Sequence, residues 1–430
     1  MRPFLIRLHR YAGLFTAAFL FVAGLTGAVI EWNGELDDLL NADLTRVASR
    51  GRALPAPVIA RQVEARYPRA EVTYLPLAAE PGHALPVYVE PRVDPRTGAP
   101  YALDFNEVLV DPVTGRETGT RSADVWPVTR RTLIPFLYTV HYSLHLPARW
   151  GGAQWGIWLM GAVACVWVLD CFVGAYLTLP PRRARRALAG GRSWWRRWRP
   201  AWTVARGATG FKRTYDLHRV AGLWPWALLL GLAVSAVSLN LRAELFLPLV
   251  SRVARVTPTP YDTRHAAATP VVPAFGLDSA VALAHTEAVR RGWREPPGAI
   301  SYAAAYGMYD VRFYAAGGES GPAGGGPPSV ILDARDGRVL AGTRPWTGTA
   351  GDVFVQAQFP VHSGRILGLA GRILITIIGL VVATLSVTGV VIWARKRRAR
   401  LAREHRRAPA AIGGANAGPV VAARGVPVGH

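Results

Sequence analysis

The sequence predicts a membrane α+β protein: a four-helix transmembrane bundle made by internal duplication, carrying two extracytoplasmic α/β modules. Three observations lead there. Apolar runs at 11–32, 155–179, 220–241 and 373–393 are each long enough for the roughly 20 helical residues that cross a bilayer core. The phrase LHRYAGLF at 8–15 returns as LHRVAGLW at 217–224, each time ahead of an apolar run. The densest basic stretches, 182–213 (without a single acid) and 394–407, fall on one side of the alternating runs.

Each element follows in order. Residues 1–32 form the first span, preceded by Arg2, Arg7 and Arg10. It reads as retained rather than cleaved, because its apolar part is longer than a signal core and no small-residue cleavage site follows. Residues 33–140 form the first exported module, with an amphipathic helix in PAPVIARQVEARYP and a strand–turn–strand in EVLVDPVTGRETGTR. Residues 141–180 hold the second span, headed by VHYSLHLPARWGG; 181–216 form a basic cytoplasmic loop. Residues 217–241 are the third span. Residues 242–360 repeat the module, with LDSAVALAHTEAVRRG as helix and SVILDARDGRVLAGTR as strand–turn–strand. GGESGPAGGGPP at 317–328 reads as a flexible hairpin insertion. Residues 361–394 form the fourth span, headed by FPVHSGRILGLAG, and 395–430 a basic, then disordered, cytoplasmic tail.

Bulk composition fits. The chain has 430 residues, half of them hydrophobic, and a formal charge of +22; its mean hydropathy is +0.17. By the positive-inside rule both termini and the 182–213 loop are cytoplasmic. The basic excess is then topology plus attraction to anionic lipid, and nucleic-acid binding is the weaker reading. Cys165 and Cys171, the two cysteines, lie in the second apolar run, outside any CxxCH motif, and read as buried apolar residues.

The repeated module ending in DPVTGR and DARDGR resembles a PepSY domain. The LHRxAGL opening, HYSLHLP, WVLDCFVGAYLTLP and FPVHSGRILGLAGRI resemble the PepSY-associated transmembrane family over roughly residues 3–400. That resemblance implies an iron-regulated inner-membrane protein or ferric-siderophore reductase. Its substrate would be a ferric siderophore or other ferric chelate, and its electron donor quinol or a cytoplasmic reductase.

The histidines suggest how. His9 and His218 head two spans at the cytoplasmic side; His141, His145 and His362 lie at the other side. A b-type haem needs two neutral imidazoles facing one another from different helices. The placement suggests two haems b, one near each face, with His9 opposite His218 and His362 opposite His141 or His145. Interfacial packing is the plain alternative. His141 and His145 share a face if their segment is helical. Small residues after the histidines (Ala12, Gly13, Ala221, Gly222) would let a flat macrocycle approach. Asp170, inside the second span, is a candidate proton relay beside a quinol site or an acceptor for a ligand histidine. Arg372 would snorkel or hold a haem propionate. Trp126 and Trp346 read first as interfacial anchors; His83, His265 and His285 read as surface residues. The alternative function is a non-catalytic, membrane-anchored PepSY binding or regulatory protein of the peptidase-inhibiting kind. No nucleophile–base pair, Walker loop or dinucleotide fingerprint appears.

Overall fold

The computed structural model describes residues 1–122, 128–146, 154–180 and 193–412. In chain order its principal helices are α1 (Arg2–Ile30), α2 (Ala56–Arg66), α3 (Leu133–Ser143), α4 (Trp155–Thr178), α5 (Gly210–Leu223), α6 (Trp226–Asn240), α7 (Leu277–Arg290), α8 (Gln358–His362) and α9 (Gly368–Ile412). The strands are β1 (Ala70–Pro76), β2 (Leu85–Pro91), β3 (Glu107–Val110), β4 (Glu117–Arg121), β5 (Pro297–Ala303), β6 (Met308–Phe313), β7 (Ser329–Asp333) and β8 (Val339–Thr343).

Among the described residues three helices, α1, α4 and α9, are long and apolar enough to cross a membrane; α5 and α6 make a fourth span if the bent pair is counted as one. The third apolar run is therefore not one straight helix. It bends by 66° at Trp224-Pro225. Pro225 has no N–H to give and its ring crowds the preceding turn, so the helix breaks there.

α1 packs against α9, α4 against α1 and α6, and α5 against α9. The α1–α9 contact is close because it is built on glycine. A Cβ on Gly24 would lie 2.6 Å from the Gly379 carbonyl oxygen, and one on Gly379 2.6 Å from that of Gly24. Without a hydrophobic force between helices in lipid, such small-residue contacts supply the packing.

The segments that follow α1 and α6 are not two separate bodies. Their strands form one eight-stranded antiparallel sheet in the order β4-β3-β2-β1-β5-β6-β7-β8. β1 and β5 join the halves, with Leu75 opposite Ile300 and Tyr74 opposite Ser301. Alternation along the strands sends Val72, Val87, Val108, Tyr309, Val311 and Leu332 to one face, where they form a single core with Ile59 and Val63 of α2 and Ala280 and Ala284 of α7. Arg61 and Asp278 bridge the two helices at 3.0 Å.

The glycine-rich insertion is held rather than loose. Trp346 Nε1 donates to the Pro322 carbonyl at 2.7 Å, and Arg365 Nη1 donates to Ser320 Oγ at 3.0 Å. Trp346 is thereby tied to the insertion. Trp126 and the tail beyond 412 lie outside the described residues. His265 and His285 are exposed; His83 is half-buried against Asp38, 2.9 Å away.

Candidate functional site

Two histidine pairs face each other across the apolar helices. The sheet-distal pair is His9 of α1 and His218 of α5, with ring centres 6.3 Å apart. The sheet-proximal pair is His141 of α3 and His362 at the end of α8, with ring centres 6.2 Å apart. At 1.5 Å rise per residue, the His9 level of α1 lies about 25 Å from the Thr26 level that meets the proximal pair.

Each ring is fixed through Nδ1. His9 Nδ1 donates to Asp170 Oδ1 of α4 at 2.8 Å. His218 Nδ1 meets Thr388 Oγ1 of α9 at 2.9 Å. His141 Nδ1 meets the Ala23 carbonyl oxygen at 3.1 Å and Thr26 Oγ1 at 3.2 Å. His362 Nδ1 meets Ser235 Oγ of α6 at 2.8 Å. The same stretch of chain separates Thr26 from Ser235 as His9 from His218.

These contacts decide the tautomer. A carboxylate and a carbonyl oxygen only accept, so His9 and His141 must donate from Nδ1. The three hydroxyls already give their protons to helix carbonyls: Thr26 to Val22 at 2.8 Å, Ser235 to Leu232 at 3.0 Å and Thr388 to Thr384 at 2.7 Å. They too are left as acceptors. As neutral imidazoles, all four rings therefore carry the proton on Nδ1 and present Nε2 as the lone-pair nitrogen, the state a metal-ligating imidazole needs. Among the described residues no Nε2 of these four rings takes a hydrogen bond.

The ring spacing distinguishes kinds of metal. A metal–imidazole bond of about 2.0 Å, plus roughly 1.1 Å from nitrogen to ring centre, puts two imidazoles on opposite sides of one metal about 6.2 Å apart. On a tetrahedral metal the same rings come only about 5 Å apart. Both observed spacings match opposite, axial ligation. Among the described residues no group of three or more His, Cys, Asp or Glu could hold a bare ion.

Glycine makes room for the rings. A Cβ on Gly27 would lie 2.9 Å from His141 Cε1, and one on Gly174 or Gly389 3.4 Å from Cε1 of His9 or His218. The distal pair opens onto a cavity of ≈ 370 Å³, lined by Gly13, Gly222, Leu14, Leu229, Trp226 and Trp393. A Cβ on Gly13 would meet nothing within 4 Å. Arg2, Arg10 and Lys396 also line it, as does Arg219, which is already paired with Asp216 at 3.0 Å. An apolar slot with opposed imidazoles and cations for two propionates fits a haem.

The structure corrects one expectation. His145 does not share a helical face with His141: α3 ends at Ser143, and Leu144 and His145 turn left-handed at φ 56° and 54°. His145 instead packs its ring on Phe136, 4.9 Å between centres. Of the two, His141 faces His362. Arg372 pairs with Glu31 at 3.1 Å and Glu35 at 2.7 Å and covers the Trp32 ring. Asp170 stands as the acceptor for His9. The polar partners Thr26, Ser235 and Thr388 were missed; their signal was a hydroxyl inside an apolar run, twice at matching positions.

No curated protein matches the chain. The model of the PepSY-associated TM region matches residues 6–396, and the chain, a multi-pass membrane protein, belongs to that family.

Proposed function

We propose that the chain is an internally duplicated four-span protein of the bacterial inner membrane that holds two haems b and passes electrons across the bilayer to a periplasmic ferric chelate, of the siderophore type. Both termini and the 182–213 loop lie in the cytoplasm, where quinol or a reductase donates the electrons. The observation that carries this reading is the axial spacing of two histidine pairs, 6.3 and 6.2 Å, each ring pinned with Nε2 free. A membrane-anchored regulatory protein has no use for such a pair on each side.

Haem, when bound, supplies reversible one-electron chemistry. The protein's part is to hold His9 and His218 opposed at one side and His141 and His362 at the other, in walls of Leu, Trp and Gly that exclude water. Arg2, Arg10 and Lys396 of the distal cavity would meet propionate charge. The continuous sheet presents the substrate surface on the far side of the bilayer. A ferric ion bound by hard, anionic oxygens loses much of its affinity on gaining one electron, so reduction releases Fe²⁺.

The test is direct. Dithionite-reduced protein, freed of reductant and mixed with a ferric siderophore, should be reoxidised while a chromogenic chelator traps Fe²⁺. Reduced protein that no ferric chelate reoxidises contradicts the substrate assignment. Reporter fusions after residues 100 and 300 should be active only outside the cytoplasm.

A further inference from the structure

The two pairs are alike in spacing and unlike in one contact, and that contact is charged. Proximally both imidazoles donate to neutral oxygens, Thr26 and Ser235 hydroxyls and a backbone carbonyl. Distally His218 donates to a neutral hydroxyl, Thr388, but His9 donates to the Asp170 carboxylate. Leu385, on α9, occupies the place relative to Gly389 that Asp170 occupies relative to Gly174. The carboxylate is therefore present in one half and replaced by an apolar residue in the other. Its side chain is only 13% exposed, which in an apolar helix is costly to maintain.

We propose that Asp170 is a positioning residue that, through His9, sets the distal haem's reduction potential below the proximal one, and so directs electrons toward the sheet. This rests on the haem reading above. A carboxylate accepting the Nδ1 proton draws the ring toward imidazolate, makes Nε2 a stronger donor and favours ferric over ferrous iron. A hydroxyl does this far less. Arg2, Arg10, Arg219 and Lys396 act in the opposite sense, but they line the cavity, whereas Asp170 bonds the ligand itself. The step would balance as one electron given up at the site held by His9 and His218 and taken up at the site held by His141 and His362, with quinol or a cytoplasmic reductase as source and the ferric chelate as sink.

The test is a spectroelectrochemical titration of full-length protein in detergent. H362A keeps only the distal haem and H9A only the proximal one, so each midpoint is read alone. The distal midpoint should lie below the proximal. D170N in the H362A background should raise the distal midpoint, and D170E should return it toward the starting value. D170N in the H9A background should leave the proximal midpoint where it was. A distal midpoint equal to or above the proximal overturns the proposal, as does one indifferent to D170N. If D170N sheds the distal haem, the order of the two midpoints in the H362A and H9A proteins decides alone. Protein that binds no haem at all overturns the haem reading rather than the role of Asp170.

Discussion

The proximal and distal histidine pairs hold their rings at nearly the same separation, 6.2 and 6.3 Å, by different means. The proximal rings come from α3 and the end of α8, and both rest on hydroxyls of facing helices. The distal rings come from α1 and α5, rest on one carboxylate and one hydroxyl, and open onto a cavity with cations in its wall. Separation is kept while the supporting contacts vary. On the proposed function, the kept separation is that of two ligands of one metal.

Several variants break or sharpen this comparison. The largest effect falls on the ligands themselves. His9→Ala or His218→Ala should each lose the distal haem and halve the haem-to-protein ratio, with no further loss in the double variant, because one pair acts as a unit. Pyridine haemochrome assays on folded protein read this. An unchanged ratio would make the repeated phrase a packing motif.

Gly24→Leu should come next and touch both sites. α1 carries His9 and also the Ala23 and Thr26 oxygens that hold His141, and its contact with α9 has no room for a Cβ. Overpacking of this kind costs about 1–3 kcal/mol. Thermal unfolding should move down, and haem should be lost at both sites together.

Ile300→Ala should separate the sheet from the membrane part. Ile300 is 1% exposed at the β1–β5 seam, opposite Leu75. Truncating a buried Ile costs about 2–5 kcal/mol. The sheet's stability should fall while the haem spectrum stays unchanged.

The smallest effect is at Glu287 on α7. Hydrogen bonds from Arg290 first, and from Arg291, hold its carboxyl down at about 2, against an ordinary value of 4.5. A folded-state value below the unfolded one means that its stabilisation is complete above about 4.5 and is lost as the pH falls toward 2. Glu287→Gln should be slightly less stable than wild type at pH 7, and denaturation curves should converge as the pH drops through that window.

Much of this was legible in the sequence, for physical reasons. Apolar runs announce membrane helices because backbone groups in lipid must pair within the helix. His9 and His218 stood out because one phrase occurs twice. Thr26, Ser235 and Thr388 did not, because a hydroxyl in an apolar helix commonly serves only its own turn, and which ring it also meets depends on a neighbouring helix. The choice of His141 over His145 turned on the left-handed turn at Leu144, a residue type that does not advertise one. The β1–β5 seam is a pairing between strands far apart in sequence, which periodicity cannot register. The bend at Pro225 was readable, since LWPWALL carries a proline inside the run.

The central claim is that each histidine pair is an axial ligand set. It is tested most directly by absorbance and pyridine haemochrome assay of the full-length protein purified from haem-replete cells. The expected result is a Soret band that shifts on dithionite and two haems b per chain, falling to one in His362→Ala and to one in His9→Ala. Folded protein that is colourless and takes up no added haem would contradict it.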